Sequence, residues 1–234
     1  VALIGVASTL GPAAIAGSQG VDMPGRPGLN PLRFRTIHHV NARHFAMAEE
    51  LARVTEVNAQ KDYLIATGYS SPYPEGTMPL GGMNFELNDL ETDPERNETE
   101  PLAIDLKRTV AEIREAKRQA DIVVVSVHTH EMKGRDTMVP PEFLETFAHA
   151  CVDAGASAVI GHGPHQLRGL EIYKGAPVFY SIGNFIFETE TVARQPADAF
   201  IGKGMPADTK VGAYMDARSA NGTRGYIVDP HIWE

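Results

Sequence analysis

Two apolar runs in the second half of the chain are continuous where most apolar segments alternate. "DIVVVSV" (121–127) is β-branched at almost every position, and "ASAVIG" (156–161) repeats that character over a shorter length. A strand with one wet face alternates apolar and polar side chains. An uninterrupted run therefore predicts a strand covered on both faces, as in a parallel sheet. Between and before these runs the period becomes helical. "AIDLKRTVAEIREAKRQA" (103–120) sets Ile104, Val110, Ile113 and Ala116–Ala120 along one side, with Lys and Arg gathered toward the end that the helix dipole favours. "PPEFLETFAHACVDAG" (140–155) opens on prolines and has Gly155 after its end, as helices commonly do. Helix, strand, helix and strand in that order over 104–161 predict an α/β sheet with crossover helices.

The remainder is less regular. "VALIGVA" at the start reads as a core strand, and "GSQGVDMPGRPGLNPL" (17–32) as a long loop dense in turn residues. "RFRTIHHV" (33–40) predicts a strand. "NARHFAMAEELARVTEV" (41–57) predicts a helix capped by Asn41, with Phe45, Ala48, Leu51 and Ala52 as its apolar stripe. "DYLIATG" (62–68) reads as another strand and "YSSPYPEGTMPLGGMNF" (69–85) as a loop. "ELNDLETDPERNETEP" (86–101) lacks periodicity and reads as a solvated acidic surface, without the central Gly of a calcium loop. "LRGLEIYKGAPVFYSIGNFIF" (167–187) predicts a hairpin turning at Lys174-Gly175, with a loop at Gly183-Asn184. The chain reads as a single domain, 1–234, with 188–234 as an irregular C-terminal extension.

Composition narrows the function classes. Apolar residues at 43% and charged residues at 22% describe an ordinary globular chain, not a disordered one. A net charge of −9 argues against nucleic acid as a partner and against a basic membrane-surface helix. The one cysteine, Cys151, excludes an intrachain disulfide and a Cys-rich zinc site; its helical spacing from Phe143 and Phe147 predicts a buried thiol. Opening on a core strand without Met suggests a processed or partial product, and no run is long enough to span a membrane.

The chemistry gathers where the two continuous strands end. "DIVVVSV" runs into His128 and His130, and "ASAVIG" into His162 and His165. Ligands in α/β sheets collect at the carboxyl ends of strands, so two parallel strands would bring these four imidazoles to one edge. In "GHGPH" (161–165) the glycines permit a sharp turn and a close backbone approach, and Pro164 prevents a helix. Imidazoles so placed suit zinc, manganese, iron or nickel, and three with an open position would activate water. Glu131 has two readings: a group that orients an imidazole or acts as a base near metal-bound water, and a solvated loop acid. His38 and His39 alternate across a strand, so at most one can face such a site. His44, His149 and His231 read as structural or exposed.

"ADIVVVSVHTHE", "AVIGHGPHQLRGLEIYKGAPVFYSIGNFIF" and, more weakly, "VALIGVAST" together resemble the bacterial poly-γ-glutamate capsule biosynthesis proteins, the CapA family, related to calcineurin-like metallophosphoesterases. The resemblance covers roughly 104–187 and rests on His128 with Glu131, then Gly161–His165, then Tyr180–Phe185. It implies a four-layer α/β/β/α metallophosphoesterase-like sandwich with a two-metal site. It points to His128, His162 and His165 as ligands of one or two divalent ions (zinc, manganese or iron), and to Asn184 and Glu131 as pocket residues. His130 stands where the family pattern often has glycine. The family's earlier ligands, in a Gly-Asp and an Asn-His-x-x-Asp motif, have no counterpart here, so the chain resembles the C-terminal portion of a longer protein.

The expected function is therefore a metal-dependent hydrolase-like domain acting on an anionic polymer or a phosphoester-like small molecule, with His128, Glu131 and Asn184 at the reacting centre. The rival expectation is a catalytically silent module within a membrane-associated synthesis complex of the cell envelope. A third is a self-sufficient three-histidine zinc hydrolase. ATP-driven ligation is disfavoured, because no phosphate-binding P-loop occurs.

Overall fold

The computed structural model describes residues 1–88, 94–185, 194–206 and 208–220. Its elements run in the order β1 (Ala2–Ala7), β2 (Phe34–Val40), α1 (Ala42–Thr55), α2 (Ala59–Ala66), β3 (Met78–Leu80), β4 (Met83–Leu87), β5 (Arg96–Pro101), α3 (Ala103–Gln119), β6 (Val123–His128), α4 (Glu142–Asp153), β7 (Ala158–His162), β8 (Leu170–Tyr173), β9 (Ala176–Phe179), α5 (Ala197–Ile201) and α6 (Val211–Ala220). One sheet has the order β1-β6-β7-β9-β8, parallel except for β8; the other has the order β3-β4-β2-β5. Two sheets with packed helices make the α/β architecture that the strand and helix periods imply. Among the described residues no helix is long and apolar enough to cross a membrane.

The core lies on one face of the five-stranded sheet. Val6, Val123, Val125, Val127, Val159 and Val178 meet Ile113 of α3 and Phe143, Leu144, Phe147, Ala148 and Cys151 of α4. Helix α4 also touches β5 of the second sheet. There Phe143 stacks on Phe34 with ring centroids 4.2 Å apart. Cys151 is fully buried, as its spacing implies, and burial pushes its thiol up to about 12. We expect it to resist alkylation in mildly alkaline buffer and to react at once in denaturant, as mass spectrometry of iodoacetamide adducts will show.

The expectation that "DIVVVSV" is covered on both faces meets a correction. Val123, Val125 and Val127 are buried, but Val124 and Ser126 on the other face are only partly so. Right-handed crossovers from β1 to β6 and from β6 to β7 move in one direction across the sheet, which puts α3 and α4 on the same side.

Other expectations change too. "DYLIATG" is mostly helical, within α2, because its four apolar residues fit a turn of helix as readily as a strand. The loop assigned to 69–85 holds β3 and the start of β4, turning at Gly81-Gly82, and the acidic stretch holds β5. Tertiary pairing against β2 overrides the poor strand propensity of "RNETEP", where Arg35 pairs with Glu100 and His39 faces Glu98. Ile104 is exposed, and Asp105 and Thr109 take its place on the buried side of α3. The extension expected to be irregular carries α5 and α6 among its described residues, α5 following Pro196.

Candidate metal centre

The parallel pairing of β6 with β7 puts His128 directly beside His162 in register at the carboxyl ends of both strands. Their Nδ1 atoms are 3.2 Å apart. Ser126 Oγ lies 2.9 Å from His162 Nε2, so a proton on that nitrogen leaves the Nδ1 lone pair turned to His128. His130 follows, its ring centroid 4.9 Å from that of His128 and 5.5 Å from that of His165. His165 Nδ1 is 2.9 Å from Asn184 Oδ1. The four imidazoles that the sequence set at two strand ends thus form one continuous row, with Asn184 at its far end.

Backbone geometry explains how the loop achieves this. Gly163 has φ +125°, and a Cβ there would stand 2.7 Å from the Thr129 carbonyl oxygen. Gly161 is not the turn residue expected from the sequence. It lies within β7, where a Cβ would meet the Tyr180 carbonyl oxygen at 2.7 Å, so its role is close approach to the neighbouring strand. His165 itself sits at φ +61°, a left-handed backbone that turns its ring toward Asn184.

Glu131 is held by hydroxyls. Its Oε2 accepts from Ser8 Oγ at 2.7 Å, Thr9 Oγ1 at 3.0 Å and Thr129 Oγ1 at 2.6 Å. Burial alone would raise its carboxyl, but these hydrogen bonds overcome it and hold the group below the usual carboxylate range. The side chain therefore ties the end of β1 to the segment after β6. Arg168, in the segment after the histidine loop, is almost fully buried; it donates from Nε to the Thr137 carbonyl and from Nη2 to the Glu131 carbonyl. Sequence reasoning missed Ser8, Thr9, Ser126 and Arg168. Their only signal was position, polar groups at strand ends that point to the same edge.

Burial, followed by the neighbouring imidazoles, holds His130 and His162 below the ordinary histidine value. Neutral imidazole is the ligating form, and two ring nitrogens on one tetrahedral zinc stand about 3.3 Å apart for bonds of about 2.0 Å. The 3.2 Å between His128 and His162 fits that edge. Among the described residues no three His, Cys, Asp or Glu side chains are gathered tightly enough to hold an ion by themselves. His128 and His162 thus offer two nitrogen donors at the spacing of a ligand pair, with no third gathered beside them among the described residues.

The remaining histidines are engaged elsewhere. His38 meets Asn97, His39 faces Glu86 and Glu98, and His44 contacts Glu95. His149 contacts Glu171 and stacks on Tyr173. His231 lies outside the described residues.

Two sheets with packed helices, and a row of histidines at the parallel strand ends, are consistent with a metallophosphoesterase-like α/β fold. The family described as bacterial capsule synthesis protein PGA_cap matches residues 29–189, and this chain belongs to it. Protein y4sH of Sinorhizobium fredii is 32% identical over 97% of the chain and 45% of its own length. The PGA biosynthesis protein CapA of Bacillus subtilis is 45% identical over 32% of the chain and 19% of its own length. The capsule biosynthesis protein CapA of Bacillus anthracis is 38% identical over 36% and 20% respectively. The chain thus spans less than half the length of these relatives.

Proposed function

We propose that this chain serves capsule or poly-γ-glutamate biosynthesis through a metal-dependent hydrolase-like site, acting on an anionic polymer or a phosphoester-like group. The observation that carries this reading is the His128–His162 pair with nitrogens 3.2 Å apart at adjacent strand ends. His128 and His162 hold the ion. With its Nε2 proton donated to Ser126 Oγ, His162 presents its Nδ1 lone pair, and Asn184 Oδ1, which only accepts, sets the proton of His165 on Nδ1 and its lone pair on Nε2. A divalent ion bound there supplies Lewis acidity and an activated water. His130, whose ring lies between those of His128 and His165, stands where it can accept a proton from the reacting centre. Glu131 keeps the strand ends aligned.

The absence, among the described residues, of a third closely gathered ligand favours a second reading, a non-catalytic module that binds metal weakly or not at all. Elemental analysis after incubation with zinc and manganese separates the two. The unaltered chain is expected to retain metal near one equivalent, and His128→Ala/His162→Ala to lose it. A chain that retains none supports the silent module, as does a metal-loaded chain inert toward a chromogenic phosphodiester.

A further inference from the structure

The two ends of the histidine row are held by different means. His128 and His162 face each other in register on the β6–β7 ladder, and Thr129 extends that ladder by donating its N–H to the His162 carbonyl at 2.9 Å. His130 and His165 stand beyond the strands. His130 belongs to the connection 129–141, which has no helix or regular strand and turns at Gly134 with φ +58°. His165 sits at φ +61°, so the loop that carries it is itself strained. Their ring centroids nevertheless lie 5.5 Å apart.

Arg168 joins the two loops. Its own backbone is anchored, since its N–H donates to the Ser181 carbonyl at 3.1 Å and Leu167 bridges Ile182. From that base the guanidinium crosses to the other loop, where Nη2 donates to the Glu131 carbonyl at 2.8 Å and Nε to the Thr137 carbonyl at 2.9 Å. Glu131 follows His130 directly and Thr137 lies across the turn, so the planar fork closes that loop at its base. The arrangement is costly. Arg168 is only 7% exposed, the acceptors it uses are backbone carbonyls and not carboxylates, and among the described residues its Nη1 has no hydrogen-bond partner. An apolar side chain of similar volume would fill the space at lower cost, but it could not grip two carbonyls at once.

We propose that Arg168 is a positioning residue that brings His130 up to His165, while the strand ladder alone sets His128 against His162. The row is thus built in two independent halves. On the metal reading proposed above, the inner pair holds the ion, and Arg168 sets the place of the ring that accepts the proton.

Contacts between histidine ring protons, read by NMR on the metal-free 234-residue chain, test this, because the two pairs of rings stand 5.2 Å and 5.5 Å apart. Arg168→Ala is expected to lose the His130–His165 contact and keep the His128–His162 contact. Free methylguanidinium, far below denaturing concentrations, is expected to restore the first. Arg168→Lys keeps the charge but cannot present two parallel donors; it is expected to weaken the same contact, and it carries the test if Arg168→Ala does not fold. The metal-loaded Arg168→Ala chain should act on a chromogenic phosphodiester about ten- to a hundredfold more slowly, with metal retention unchanged and partial rescue by methylguanidinium. The inference is overturned by a His130–His165 contact that survives both substitutions, by loss of the His128–His162 contact with it, or by slowing that comes with loss of metal. A chain that retains no metal defeats the metal reading but leaves the ring contacts to decide the role of Arg168, so the two failures are distinguishable.

Discussion

Asp105→Ala is expected to be among the most damaging single changes in the chain, costing about 3 kcal/mol, the lower end for breaking a buried ion pair. The carboxylate has no exposure. It accepts from Arg33 Nε and Nη2 at 2.8 Å each, from the Arg33 backbone N–H at 2.9 Å, and from Arg108 Nη1 at 3.0 Å. Both guanidiniums are partly exposed and can recover water once the carboxylate is gone, which keeps the loss from being larger. The Arg33 N–H loses its acceptor as well. For a domain of this size the melting temperature should fall by roughly 6–12 °C.

The same group sets an acid limit. Burial works to raise the Asp105 carboxyl, but the hydrogen bonds from Arg33 and Arg108 overcome it and hold it below its ordinary 3.8. A depressed carboxyl contributes stability above its unfolded value and loses it as pH falls through the folded one. In urea titrations, the gap between the unaltered chain and Asp105→Ala should be constant above about pH 5 and close below the ordinary value near 4. A gap that persists at the lowest pH, or no gap at neutrality, defeats this account.

Gly163→Ala should have the second largest effect, and it acts on the site directly. A side chain at φ +125° costs about 1–3 kcal/mol in strain alone. Its Cβ would also stand 2.7 Å from the Thr129 carbonyl oxygen and 3.0 Å from its carbon, so backbone must move. Thr129 also donates its N–H to the His162 carbonyl at 2.9 Å, and parting these segments opens the His128–His162 pair. Metal affinity is expected to fall ten- to a hundredfold, as when the groups that orient a ligand are disturbed, with far-UV circular dichroism little changed. Titration with a chromogenic zinc indicator checks it. Unaltered affinity would show that the loop does not aim the imidazoles.

Much of the site was legible because its elements carry strong local signals. The continuous runs of β6 and β7 and the prolines and Gly155 around α4 require parallel neighbours. Parallel neighbours bring His128 and His162 together at their carboxyl ends. What was not legible depends on partners distant in sequence. "RNETEP" is a strand only because β2 lies beside it, and Asp105 is buried only because Arg33 and Arg108 reach it. Glu131 could be weighed as base or surface acid from sequence. That Ser8 and Thr9 approach it follows from the pairing of β1 with β6, which no local pattern reveals.

That hydroxyl clamp has a kinetic consequence. Ser8 and Glu131 are 123 positions apart, and among the described residues the named strand that β1 pairs with is β6. Closing a loop of that span is entropically slow, and it must wait until the intervening chain is in place. The strand nearest the start of the sequence is thus among the last to be seated, and the alignment of the histidine row waits on it. During synthesis an apolar, uncharged strand waits for β6 to be made before its ladder can form. Ordering of the histidine row then reports that β1 has been seated on β6.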